Sequence, residues 1–345
     1  MGNILARSPY IVEVNETGQD GSKVEVFLWN NGTTEPTTPQ YTLSKLIPAS
    51  NNIQTVYDIS PYIREYLTFT QKQTPDTIDD LSTNQYCNVK VKRYKSVAGV
   101  YTLLNTLTYF GLDGYSYYED TGNVDLGNYL LEQKTYYYQS GIYAGEFNAY
   151  MTIAMAIKYT NLSTGASTTV TNSSIGWKTA PRVYAPYAAV GNKLEVLDSE
   201  GEPLATYYFR PICESKYTPV IIDFINQYGA WQREFFFKAS KSTLAIESND
   251  YNVMQSSLTS YDIYQGQKKS FNTNAKETIT VNSGYVYEDF SSNIKQLIMS
   301  ERILVNDKPA ICKTKSLELM KNINNHMINY SLEFEFAYNT INNVI

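Results

Sequence analysis

Two carboxylates, Glu119 and Asp120, follow Tyr115, Tyr117 and Tyr118, and Asp125 comes close behind. A pair of acids beside aromatic platforms is the equipment of glycoside hydrolysis, one acid giving a proton while the other serves as base or nucleophile. The same acids, with Asn123 and backbone oxygens, are also of the type that holds calcium. Neither spacing matches a defined motif, and a solvated loop is the simpler reading. His326 is the single histidine, in the polar run Asn322-Ile323-Asn324-Asn325-His326-Met327. Any Ser–His or Cys–His nucleophile would have to use it, and its setting is that of an exposed turn. Cys87, Cys213 and Cys312 are scattered and form no CxxC pair, which argues against a structural zinc site and a disulfide framework. Synthesis in a reducing cytosol fits that usage. No phosphate loop, dinucleotide fingerprint or GxSxG elbow occurs. The expectation is a non-enzymatic chain with no catalytic, cofactor-binding or metal site.

A basic run, Lys90, Lys92, Arg93 and Lys95 with Tyr94, raises nucleic acid. In a strand Lys90 and Lys92 share one face, and Arg93 and Lys95 take the other unless a bulge intervenes. A solvated strand, or contact with an acidic partner, accounts for it more simply. The net charge of −6 also speaks against a protein that neutralises a nucleic-acid backbone. No sequence-specific nucleic-acid partner is expected.

Tyrosine is the strongest positive signal, with 32 in 345 residues. Its ring is amphipathic and inexpensive to order, so contact surfaces favour it. Strands favour it too. That explains many of them but less well the loop clusters Tyr115, Tyr117, Tyr118 and Tyr184, Tyr187, to which the triplet Tyr136, Tyr137, Tyr138 is added. These eight are the expected interface residues, facing other copies of the chain.

The elements that must carry these residues are mostly strands. Val24, Val26 and Leu28 alternate with Lys23, Glu25 and Phe27, and Val89 and Val91 with Lys90 and Lys92. Leu332, Phe334 and Phe336 alternate with Glu333 and Glu335. A period of two sets one face in a core and the other in water. Gly18–Gly21 reads as a hairpin loop, and Asn161–Gly165 and Asp198–Gly201 as further turns. Ser60-Pro61 opens a short helix, with Ser60 as its cap. Val220–Tyr228 suits a helix or a strand. Glu288–Glu301 is the clearest helix, since Phe290, Ile294, Leu297 and Ile298 share a face. The triplet Phe235–Phe237 cannot put all its rings on one face, which implies burial on both faces of its sheet or a second face covered by another domain or subunit. The polar stretch Gln71–Gln85 reads as a long exposed loop.

The fold expected is mainly β: tandem antiparallel β-sandwich domains with a C-terminal α+β unit. The boundaries are 1–127, 128–245 and 246–345. Charged residues make up 18%, against about 25% in ordinary soluble proteins, and the aromatic content excludes disorder of the whole chain. No signal segment or apolar run long enough for a membrane span is visible.

Four phrases resemble one group of proteins. They are Tyr41-Thr42-Leu43-Ser44-Lys45, Ile59-Ser60-Pro61-Tyr62-Ile63-Arg64-Glu65-Tyr66, the run from Trp231 to Lys238, and the run from Asn329 to Asn339. The chain is similar to virion proteins of tailed phages of Bacteroidota, the crAss-like podoviruses, and most of all to their tail or collar ring proteins. The likeness implies a structural subunit of a homo-oligomeric ring below the portal, commonly twelvefold, among other portal and tail ring proteins, with genome DNA passing through its channel. It also implies assembly into a virion inside the bacterial cytoplasm. It carries over no active-site residue. The rival readings are a glycan- or receptor-binding tail or fibre-anchoring protein, and a depolymerase using Glu119.

Overall fold

A computed structural model describes residues 1–30, 32–48, 53–68, 72–82, 85–132, 134–184, 189–212, 217–254, 259–260, 262–316 and 327–342. Strands hold 51% of the chain and helices 7%, so the fold is mainly β. The first third contains β1 (Gly2–Leu5), β2 (Ile11–Val14), β3 (Gly21–Trp29), β4 (Tyr41–Leu46), β5 (Thr55–Asp58), α1 (Ser60–Tyr66), β6 (Asp79–Asp80), β7 (Tyr86–Val97) and β8 (Val100–Leu112). Then come β9 (Thr135–Tyr138), β10 (Glu146–Met151), β11 (Ala156–Asn161), β12 (Ser167–Thr171), β13 (Gly176–Pro181), β14 (Asn192–Leu197) and β15 (Pro203–Pro211). The last third holds β16 (Val220–Ile225), β17 (Trp231–Phe236), β18 (Lys241–Asn252), β19 (Lys268–Tyr287), α2 (Ser291–Met299), β20 (Ile303–Val305), β21 (Lys308–Cys312) and β22 (Met327–Phe336).

The chain divides into two compact units, Met1–Cys213 with Ile225–Arg233, and Glu214–Phe224 with Glu234–Ile345. The boundary expected at 127/128 lies inside the first unit, and that at 245/246 lies inside β18 of the second.

The first unit holds a five-stranded sheet, β1-β8-β7-β3-β4, and a second, β12-β11-β14-β15-β9. Two smaller sheets, β10-β13-β6 and β2-β5, complete it. Val24, Val26, Leu28, Val89 and Val91 point inward from the first sheet and meet Val12, Val14, Tyr57, Ile59 and Ile63. The β2–β5 ribbon and α1 thus cover one face, a sandwich-like packing. Each of these aliphatic side chains contributes about 1.5–3 kcal/mol by leaving water. The long β7–β8 hairpin turns at Ala98 (φ 50°) and Gly99 (φ 78°), the paired left-handed residues a tight hairpin needs. Most pairings are antiparallel, but the edge strands β1 and β9 join β8 and β15 in parallel.

Several local expectations change. Gly18–Gly21 is not a hairpin loop, because β2 pairs with β5 while β3 pairs with β4 and β7. The segment crosses from one layer to the other, since β2 and β3 close on the same core. Ser60 does not cap α1. Its N–H and hydroxyl both donate to Asp58 Oδ1, at 3.0 and 2.7 Å. The 71–85 stretch is partly built in: β6 pairs with β13, and Leu81 is buried beside Trp177. The Asn161–Gly165 and Asp198–Gly201 turns do close hairpins, β11–β12 and β14–β15.

The second unit is built on the sheet β17-β16-β20-β21-β22-β19-β18, of which Ile225 and Trp231–Arg233 count with the first unit, and α2 packs against it. Val220–Ile225 is a strand, in which Ile222 pairs with Val305 and Phe224 with Ile303. The β-branched run Val220-Ile221-Ile222 loses little in a strand and more in a helix. Leu332, Phe334, Ile279 and Val281 bury one face against Ile294 and Leu297 of α2. The other face is polar: Glu335 stands opposite Thr278 and Glu333 opposite Thr280. The predicted helix begins as a 3-10 turn, Glu288–Phe290, and stops at Met299. Phe235 and Phe236, at the end of β17, and Phe237 just beyond it are all buried.

Candidate functional site

The acid and tyrosine cluster is an anchor for the N-terminal segment. Asp125 Oδ1 accepts from Asn3 Nδ2 and from Gly127 N, both at 3.0 Å. Asn123 mimics a strand neighbour, taking the Ile11 N–H on its oxygen and giving its amide to Ile11 O, both at 2.8 Å. Asp120 closes its own 3-10 turn by accepting from Tyr117 N at 2.7 Å. Arg7 lies 4.9 Å over the ring of Tyr115, and Tyr115 packs edge-on to Tyr117. Burial, with Tyr117 beside it, pushes the Tyr115 phenol up. Among the described residues no three His, Cys, Asp or Glu side chains gather as a metal-binding group.

The eight expected interface tyrosines separate into distinct settings. Tyr136 is stacked on Phe209 at 5.8 Å with Arg182 over its ring, and the Tyr138 hydroxyl oxygen accepts from Asn192 Nδ2 at 2.8 Å. These two and Tyr115 are interior residues of the first unit, so they hold its fold and offer no outer surface. Tyr117, Tyr137 and Tyr184 are half-buried, and Tyr184 stacks on Tyr159 at 5.2 Å. Only Tyr118 of the described members is fully exposed. Tyr187 lies outside the described residues, as do Cys213 and His326.

Three members of the basic run, Lys90, Lys92 and Arg93, are engaged within the chain. Lys90 and Lys92 both reach over the Phe27 ring, at 4.6 and 4.9 Å, and Lys90 pairs with Glu35. Glu25 accepts from Lys23 at 2.7 Å and from Tyr94 O–H at 2.8 Å. Burial works against the Glu25 charge, but these two donors prevail and hold its carboxyl below the usual range. Burial, then the Glu25 bond, pushes Tyr94 up to about 12. Arg93 gives its guanidinium to Asn105 and Glu13 O. Carboxylates, carbonyls and ring faces thus absorb these cations.

The feature that the sequence reading did not single out is the β18–β19 arm. All residues of β18 are exposed, on both faces and at the sheet edge. Its partner is also exposed from Lys268 to Thr273. Leu244 and Ile246 lie on the face of Ala275 and Ile279, continuing the apolar side of the sheet. Yet Leu244 is 52% and Ile246 67% exposed. A register shift follows between Glu247 and Asn249, where Asn272 in β19 adopts φ 50°. Past it Tyr251 and Phe271 pack edge-to-face at 5.6 Å, on the opposite side from Leu244 and Ile246. They remain 47% and 45% exposed, and Met254, Ile263 and Tyr264 near the tip are more open still. A two-stranded ribbon alone is marginal in water, and a long bare edge invites another strand. Covering the four apolar residues Leu244, Ile246, Tyr251 and Phe271 recovers on the order of 3–6 kcal/mol, half their full burial value. A sequence signal was present in the spacing of Leu244 and Ile246 and in the β-branched run Thr278–Val281, which follows the Asn-rich 272–274 segment.

Geometry therefore defines a mainly β protein whose most conspicuous surface is an uncovered β-ribbon. Comparison with protein-family models, curated proteins and solved structures returned no match. No helix among the described residues is long and apolar enough to cross a membrane.

Proposed function

We propose that the chain is a structural virion subunit of a tailed phage, forming a homo-oligomeric ring of the tail or collar that encloses the DNA channel. The observation that carries the reading is the β18–β19 arm, which exposes apolar side chains on both faces, Leu244 and Ile246 on one and Tyr251 and Phe271 on the other, within an otherwise polar ribbon. Assembly is the mechanism: burial of such surface against other subunits supplies the free energy, and a heterologous contact that closes on itself gives a ring. The four phrases from Tyr41 to Asn339 supply the tail and collar assignment by their likeness. A net charge of −6 suits a channel that DNA must traverse without being gripped. The carboxylates support the same reading, because Asp120 and Asp125 are spent on loop anchoring. Negative-stain microscopy of the purified protein is the test. Closed rings are expected; a monomer at high concentration, or a slender trimer, contradicts the proposal.

A further inference from the structure

We propose that β18 pairs antiparallel with β18 of a second copy, with Ala245 on the twofold axis. β18 ends its sheet, so among the described residues one side of its backbone has no strand beside it. It runs twelve residues without proline, and its exposed aliphatic residues Leu244 and Ile246 stand one repeat of the pleat apart on the same face. These are the features that natural edges usually suppress.

The sequence of β18 selects the partner and the register. In an antiparallel pair, residues directly opposite share a face. With Ala245 opposite itself, Leu244 meets Ile246 of the second copy, and Ile246 meets Leu244. Four aliphatic side chains then form one cluster on the side that carries α2 in each copy. Ser242 faces Ser248, Thr243 faces Glu247, and Lys241 faces Asn249. Lys241 also lies diagonal to Glu247 of the second copy, which is an attractive placement, and no like charges are opposed. Centring the pair on Ile246 instead sets Leu244 opposite Ser248 and Ala245 opposite Glu247. Centring it on Leu244 shortens the paired segment. The register about Ala245 is thus the one that buries both aliphatic residues and leaves the charges matched. Two seven-stranded sheets become one continuous sheet.

The inference rests on the arm as a contact surface and not on the ring reading. An isologous pair ties two copies, or two rings back to back, and leaves ring closure to other faces such as the distal arm. Variants of the full chain with one cysteine added test it. Opposed Cα atoms lie about 4.5–5.5 Å apart, inside the disulfide range. Ala245→Cys should therefore give a covalent dimer under mild oxidation. Thr243→Cys places its two thiols roughly 13 Å apart, four residues along the strand, and should cross-link at least tenfold less. The unsubstituted chain sets the background from its native cysteines. Ile246→Lys added to Ala245→Cys should abolish the dimer. Equal cross-linking at 243 and 245, or none at 245, overturns the pairing. Rings by microscopy without a covalent dimer of the Ala245→Cys variant would refute the pairing and spare the ring; that covalent dimer without rings would do the reverse.

Discussion

Replacing Tyr136 separates a folding role from a contact role. The ring is 1% exposed, stacked on Phe209 at 5.8 Å and capped by the Arg182 guanidinium at 4.9 Å. Tyr136→Ala removes the ring from a packed interior and leaves a cavity, a loss of about 3–5 kcal/mol for a large aromatic. It also strips Arg182 of its ring partner, worth about 0.5–2 kcal/mol. Arg182 is itself buried, held by bonds to Glu146 O at 3.0 Å and Arg233 O at 2.8 Å, so it cannot simply turn to water. Together these come to about 3.5–7 kcal/mol, and a unit of this size shifts by about 2–4 °C per kcal/mol, so its melting transition should fall by roughly 7–28 °C. Tyr118→Ala, at a fully exposed ring, should change stability by less than about 0.5 kcal/mol. Calorimetry on both variants, with the buried Trp177 reporting on the first unit by fluorescence, makes the comparison. If Tyr136→Ala keeps the native transition but loses assembly, the ring is a contact residue and the packing argument is wrong.

Three further outcomes follow from local geometry. Gly114→Ala should destabilise the first unit by about 1–3 kcal/mol, because a Cβ there would stand 2.5 Å from Gln227 O and 2.9 Å from Tyr228 C, neither free to move; thermal unfolding reads it. Burial raises Tyr86, Tyr159 and Tyr207 above the ordinary phenol value and Cys87 to about 12. These groups keep their protons longer folded than unfolded, so their contribution is whole at neutral pH. It is lost as pH climbs past the unfolded values, about 9 for the thiol and about 10 for the phenols. Absorbance at 295 nm should then rise in two stages, exposed tyrosines first and buried ones together with unfolding; a single stage near pH 10 with the fold intact would contradict this. Glu119→Gln should leave the melting temperature and any assembly unchanged, whereas a depolymerase would lose polysaccharide cleavage.

Much of the fold was legible because burial imposes a period on the chain. Leu332, Phe334 and Phe336 face the core and Glu333 and Glu335 face water, as their alternation states. The α2 stripe of Ile294 and Leu297 was equally plain. Pairing partners were not, because β2 and β3 adjoin in sequence yet close different sheets, and only the shared core decides that. Val220–Tyr228 was ambiguous because a short apolar run satisfies a buried helix and a buried strand alike. The tyrosine clusters misled in part: Tyr136 and Tyr138 share a strand face, and nothing in the triplet says that Arg182 and Asn192 lie above it. The arm escaped notice for the opposite reason. A half-polar alternating strand looks the same whether another layer covers it or water does.

The central claim is that this chain works by assembling, with the β18–β19 arm among its contact surfaces. Hydrogen–deuterium exchange of β18 amides, compared between dilute chain and assembled particles, tests that claim most directly. Edge amides across Lys241–Asn249 should exchange freely in the dilute chain and become strongly protected in particles. Particles that form while those amides and the Leu244–Ile246 segment exchange as fast as before would place the contacts elsewhere and contradict the account.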